Sequence, residues 1–334
     1  MSVLILNQDE VRDLLTMEAC IEAVASAFAS RASGAVHQPV RTVFPTPEGN
    51  ALAMMPASNV DLGSLGVKVI TVFPGNHGTE RDAHQGVVLV FDSQHGSLEA
   101  IVDATAITAI RTAAASAVAT RYLANEDAGT VAILGAGTQA LSHLEAMAVV
   151  RGIHAVRVWG IVPGEADRFV ERCRGRYDFE VTAVGDARAA VIGAQIVCTT
   201  TPARTPILER DWLSPGVHIN AIGACSAVTR ELDTATIRSA EVYVDSMDAA
   251  FKEAGDIVIP IKEGAILDSH VRGELSQVVA GTIRGRSDRD AITLFKAVGQ
   301  AFEDLASARA VVDLARRSAA GTSVSIGGRH FAGT

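Results

Sequence analysis

Thr130-Val-Ala-Ile-Leu-Gly-Ala-Gly-Thr-Gln-Ala140 decides the fold. A short apolar run enters a Gly-x-Gly-x-x-Ala turn, and Leu141, Leu144, Met147 and Ala148 follow on one helical face. Strand, glycine turn and helix in that order are the context in which a glycine turn binds a dinucleotide. Gly135 permits the tight turn, Gly137 lets the backbone approach a pyrophosphate, and Ala140 is small enough for close helix–sheet packing. Ala136, Thr138 and Gln139 complete the turn. The anion then faces unpaired N–H groups at the positive end of the helix. The competing reading is a tight strand–helix turn with no ligand.

Downstream, strand and helix patterns alternate, as a doubly wound parallel sheet requires. The expected strands are Val131–Leu134, Ala155–Trp159, Glu180–Val184, Ile196–Thr200, His218–Ile222 and Glu241–Asp245. Ala291–Arg317 reads as helical. Upstream, Asn7 and Glu10 have capping-box spacing, and a second helix starts near Thr16 with Ile21, Val24, Ala25 and Phe28 on its buried face. Between residues 36 and 102, short β-rich runs alternate with turns, which predicts an antiparallel sheet. An alanine-rich helix over 104–124 leads to the glycine turn. The fold class is therefore α/β, with an α+β domain over 1–122 and a Rossmann-type domain over 123–304. A tail from about residue 305 returns to the first.

Composition narrows the function. The chain has 334 residues, enough for two cores, and its formal charge of −9 argues against general affinity for nucleic acid or anionic membranes. No apolar run is long enough to span a bilayer, and the N-terminus lacks a signal-peptide pattern. Cys20, Cys173, Cys198 and Cys225 show no metal-ligand spacing, so no metal site is expected, and reduced thiols in a cytoplasmic protein are the natural reading.

The second half of the cofactor site is less legible. Many dinucleotide folds place an acid about 20 residues beyond the glycines for the ribose of NAD, or a basic group for NADP. Here the strand end reads Trp159-Gly-Ile-Val-Pro-Gly164, with neither. Arg168 has two open readings, a 2′-phosphate ligand or a solvated charge. NAD(H) and NADP(H) both stay open. Thr200, Ala221 and Gly223 lie at strand ends along the edge where open α/β sheets bind ligands, although ordinary turn chemistry also explains them.

Arg41, Lys68 and Arg111 stand out in the first domain. Lys68 sits inside the apolar run Val67–Phe73, where a cation must snorkel or pair. Taken alone, each is a surface or salt-bridge residue. In context they join an ordered set: Met55-Pro-Ala57, Gly66-Val-Lys-Val69, Phe73-Pro-Gly-Asn76, His84-Gln85 and Ile107-Thr-Ala-Ile-Arg-Thr-Ala-Ala-Ala-Ser116. Gly135-Ala-Gly-Thr-Gln139, Pro215-Gly-Val-His-Ile-Asn-Ala-Ile-Gly223, Arg230-Glu-Leu-Asp233 and Thr293-Leu-Phe-Lys-Ala-Val-Gly299 continue it. With this set the chain resembles the ornithine cyclodeaminase/mu-crystallin family over nearly its whole length.

The resemblance implies a homodimer whose first domain binds substrate and forms the dimer contacts. It implies that Arg41, Lys68 and Arg111 surround a substrate carboxylate near the nicotinamide, with His84 close by. Thr112, Gly137, Thr138 and Gln139 match cofactor-contacting positions, and Val298 and Gly299 join the cofactor set. Three departures bear on the chemistry. Cys225 stands where cyclodeaminases place a catalytic Asp, Thr229 where they place a cofactor-contacting Lys, and Ala297 where the family usually has Ser. A thiol titrates near 8.5 against about 3.9 for Asp and does not replace a carboxylate base. Cys225 is then expected to be a small buried residue lining the cleft.

The expected activity is NAD(P)-dependent reduction of a ketimine or cyclic imine carboxylate, such as pyrroline- or piperideine-2-carboxylate, with Lys68 as the catalytic residue. Amino-acid dehydrogenation of the alanine type and ornithine or lysine cyclodeamination are the alternatives. A non-catalytic nucleotide-binding protein is the reading from another class.

Overall fold

The computed structural model describes residues 2–76 and 79–327. Two compact units divide the chain, Met1–Arg111 with Gln300–Thr334, and Thr112–Gly299. The division falls inside an alanine-rich helix, whereas the boundary expected from sequence lay at 122/123.

The strands of the first unit are β1 (Ser2–Leu6), β2 (Val36–His37), β3 (Thr42–Pro45), β4 (Ala51–Asn59), β5 (Ser64–Val72), β6 (His84–Asp92) and β7 (Leu98–Asp103). A C-terminal strand, Thr322–Ser325, pairs antiparallel with β1. The sheet is mixed rather than purely antiparallel, because β1 runs parallel to β7. Two helices open the unit, α1 (Gln8–Leu14) and α2 (Met17–Ala32). Asn7 and Glu10 form the reciprocal capping box that their spacing predicts. On α2 the buried face uses Ile21, Val24, Ala27 and Phe28, while Ala25 is half-buried.

Alternation along the strands decides what the inner face carries. Ala53, Met55 and Ala57 of β4, Gly66, Lys68 and Ile70 of β5, and Val88 and Val90 of β6 are buried or in close contact. The C-terminal helix Ala301–Ser318 packs on β4, β5, β6 and α2. It approaches so closely that a Cβ on Gly66 would lie 2.9 Å from Cδ1 of Leu305.

The second unit contains β8 (Thr130–Leu134), β9 (Ala155–Trp159), β10 (Glu180–Ala183), β11 (Ile196–Thr199), β12 (His218–Ala221), β13 (Glu241–Val244), β14 (Val271–Glu274) and β15 (Thr293–Lys296). All are parallel, in the order β10-β9-β8-β11-β12-β15-β13-β14. The chain winds outward from β8 through β9 to β10 and returns to β11 on the other side of β8. That reversal creates the crevice at which such sheets bind ligands. The helices named below are α3 (Ala104–Leu123), α4 (Thr138–Val150) and α5 (Glu165–Cys173).

One expected helix is partly a strand. Residues 293–296, read as the start of a helix over 291–317, form the fully buried β15 between β12 and β13. Periodicity does not separate a short apolar strand from a buried helical turn, and here parallel pairing on both sides favours extension. Gly299, at φ +81, ends that passage, and a capping box of Gln300 and Glu303 starts the true helix at Ala301. Strands β1 and β14 were also not anticipated. Among the described residues no helix is long and apolar enough to cross a membrane.

Candidate functional site

In the first unit, Lys68 lies mid-strand on β5, opposite Met55 and Val88, and is 2% exposed. Its ammonium is 2.7 Å from Oδ2 of Asp304 and donates to Oγ1 of Thr108 at 3.4 Å. Arg111 is 5% exposed; its Nε donates to the other Asp304 oxygen at 2.8 Å, and its Nη1 donates to Oε2 of Glu303 at 2.9 Å. A single carboxylate therefore bridges the two cations. Both acids sit in the first turn of the C-terminal helix, where negative charge also complements the helix dipole. Glu303 further accepts the Gln300 N–H, so the cap that starts the helix also fixes Arg111.

The electrostatics are finely opposed. Burial pushes the Lys68 ammonium from 10.5 down to about 8, against the pull of Asp304 and with help from Arg111 and Arg41. Burial alone would raise the Asp304 carboxyl, but Arg111 and Lys68 outweigh it and hold it below the ordinary range. Arg41, half-buried just before β3, is thus close enough for its charge to bear on Lys68. The structure brings the three basic residues together. His84 is exposed at the start of β6, on the same sheet face as Lys68 but four residues further along the paired strands. Its backbone N–H donates to Asp82, and its carbonyl accepts from Thr105.

In the second unit the glycine turn has the geometry its sequence implies. Gly135 has φ +120, a region that favours glycine, and a Cβ there would lie 2.6 Å from Oγ1 of Thr200. Thr200 is held against the turn by its own N–H, which donates to Leu134 O at 2.8 Å. Gly137 caps α4 without a side-chain bond, and a Cβ built on it meets nothing within 4 Å. Packing within the unit leaves that face open, as pyrophosphate approach to the uncapped α4 N-terminus requires. Thr138 is exposed there, and Ala136 and Gln139 are half-buried. The residues present therefore fit a dinucleotide. Thr112, on α3, is 8% exposed.

The remaining expected cofactor residues occupy the same edge, at the ends of β12 and β15. Ala221 is fully buried, and the Gly223 N–H donates to Glu231 at 2.7 Å. Val298 and Gly299 donate their N–H groups to Oδ2 of Asp245 at 2.8 and 2.7 Å. Sequence reasoning missed the acids that brace this edge. Glu231, 0% exposed, accepts from Thr199 Oγ1, Thr201 N, Thr201 Oγ1 and Gly223 N, which ties the end of β11 to that of β12. Its own N–H is held by Asp256, which pairs with buried Lys296 at 3.0 Å. Asp304 was missed because it lay inside a long helical reading, with no spacing to link it to Lys68. Cys225 is exposed rather than buried, since it stands in the loop after β12, beyond the last paired residue; its Sγ–H donates to Ile222 O.

The sequence profile of the "Ornithine cyclodeaminase/mu-crystallin family" matches residues 1–319. The chain is 38% identical over 307 residues to mouse ketimine reductase mu-crystallin, covering 92% of this chain and 94% of the relative. A Thermococcus litoralis Delta(1)-pyrroline-2-carboxylate reductase, solved with NADH and L-proline, superposes with a TM-score of 0.94 at 36% identity, covering 96% of this chain and 100% of the other. An archaeal alanine dehydrogenase dimer with bound NAD gives a TM-score of 0.92 at 31% identity over 97% and 99% of the two chains.

Proposed function

The chain belongs to the ornithine cyclodeaminase/mu-crystallin family, and we propose that it is an NAD(P)-dependent imine reductase. Its substrate is a ketimine or cyclic imine carboxylate of the pyrroline- or piperideine-2-carboxylate type, and its product is the L-amino acid. The observation that carries this reading is the buried bridge Lys68–Asp304–Arg111.

Arg111 and Arg41 hold the substrate carboxylate, a task suited to the planar guanidinium fork. The arriving anion counters the burial, and the lesser repulsion from Arg111 and Arg41, that depress Lys68, and so keeps the ammonium charged. Lys68 then supplies its Nζ proton to the imine nitrogen, and a group held near 8 both carries and releases that proton near neutrality. Asp304 aims Nζ and Arg111 from opposite oxygens, and Thr108 restrains the ammonium further. His84 lines the approach along the same sheet face. The nicotinamide, when bound, supplies hydride to the imine carbon, which becomes Cα. Gly135, Ala136, Gly137, Thr138, Gln139 and Thr200 hold the pyrophosphate side of the cofactor, while Thr112, Ala221, Gly223, Val298 and Gly299 complete its contacts. Cyclodeamination is disfavoured because Cys225 offers an exposed thiol where a carboxylate base is needed.

The protein is proposed to act as a homodimer in the cytoplasm. Support for the dimer is the outward face of the first unit's sheet, where Met54, Leu65, Val67, Val69, Leu89 and Phe91 are incompletely covered. The archaeal alanine dehydrogenase dimer adds to it. Four free thiols suit a reducing compartment. The test is oxidation of NADH or NADPH by purified protein with pyrroline-2-carboxylate and piperideine-2-carboxylate. Turnover is expected; tight coenzyme binding with no turnover of either imine refutes the assignment.

A further inference from the structure

A cavity of about 410 Å³ lies within the second unit, at the C-terminal ends of β9 and β10. In a dinucleotide fold, the end of the strand that follows the glycine-turn helix meets the adenosine ribose. The cavity is lined by apolar side chains, among them Trp159, Ile161, Val162 and Val184, together with glycine backbone. Among the described residues its only ionisable lining side chain is Asp167.

Gly160 occupies the strand end where an acid commonly reads the ribose. A Cβ there would lie 3.1 Å from the Cβ of Glu165 and 3.4 Å from its Oε2. A carboxylate therefore stands beside Gly160, delivered from the first turn of α5 instead of from the strand, although Glu165 does not itself line the cavity. Arg168, on α5, is exposed and does not line the cavity. Its guanidinium lies alongside Gly164, with Nη1 3.3 Å from the position of a Cβ on that residue.

We propose that this cavity selects NADH over NADPH, with Asp167, its lining acid, as the residue that reads the ribose and the neighbouring Glu165 in support. The inference rests on the dinucleotide reading above. Asp167 accepts a hydrogen bond from the 2′-hydroxyl, and Asp167 and the adjacent Glu165 together repel a 2′-phosphate. A phosphate monoester carries between one and two negative charges near neutrality. Entering this cavity, it loses hydration with no lining cation to receive it.

Titration of the purified protein with NADH and with NADPH, without substrate and followed by tryptophan quenching, tests this directly. NADH is expected to bind at least about tenfold tighter. Glu165→Gln with Asp167→Asn should narrow that ratio, chiefly by strengthening NADPH, whereas Arg168→Ala should leave it unchanged. Equal affinities, a preference for NADPH, or a loss of NADPH binding confined to Arg168→Ala overturns the assignment. Binding of neither nucleotide overturns the dinucleotide reading itself, and this inference with it.

Discussion

Asp304→Asn removes one negative charge from between two buried cations while keeping the side chain's size. In the native protein its oxygens lie 2.7 Å from Lys68 Nζ and 2.8 Å from Arg111 Nε, with all three side chains at most 6% exposed. Breaking a buried pair from one side costs about 3–5 kcal/mol when the remaining charge has no escape. Arg111 keeps Glu303, and Lys68 escapes by giving up its proton, so the expected loss is near the lower end, about 3 kcal/mol. The kinetic consequence is sharper. Lys68 must be protonated to act as an acid, so wild-type kcat/KM falls as pH rises through about 8. Without Asp304, the largest group favouring the charged form is gone, and the falling limb should move down by about 1–3 pH units. The assay is kcat/KM for imine reduction across pH in both proteins, with urea unfolding of each. A folded variant whose limb stays at the wild-type pH would refute the coupling of Asp304 to a proton-donating Lys68.

Gly137→Val should eliminate NADH binding in fluorescence titration while costing about 1 kcal/mol or less in stability, because no protein atom occupies that space. Normal coenzyme affinity in that variant would remove the glycine turn from the site. Glu231→Ala should cost about 3–5 kcal/mol in urea unfolding, since four donors at the ends of β11 and β12 lose their acceptor. Between about 8 and 10.5 the unfolded chain holds the Lys68 proton and the native fold does not. Lys68 therefore adds stability as pH rises through that window, and the addition is lost as pH falls through about 8. Lys68→Met should flatten that part of the stability–pH curve relative to wild type; an unchanged slope would contradict the depressed ammonium.

The glycine turn and β8 were legible because a parallel strand ending in Gly135-Ala-Gly137 leaves a local signature: apolar residues, then a backbone angle that favours glycine. β15 was not, because Thr293-Leu-Phe-Lys296 is buried on every side and its extended form depends on β12 and β13, far away in sequence. The site divides in the same way. Lys68 announced itself as a cation within an apolar strand, so a partner had to exist. That partner, Asp304, stands 236 positions later, and only the packing of the C-terminal helix on β5 joins them. Glu231 and Asp245 were hidden for a related reason: they brace backbone N–H groups of other loops, and the loops themselves carry no mark of it. No acid was found on the strand because the acids near the end of β9, Glu165 and Asp167, come from α5.

The most direct test of the account is Lys68→Ala, measured for kcat/KM with pyrroline-2-carboxylate alongside NADH affinity without substrate. The account predicts a fall in kcat/KM of about 10²–10⁴-fold with NADH binding unchanged. Wild-type turnover in the variant, or equal losses of turnover and coenzyme binding, would contradict it.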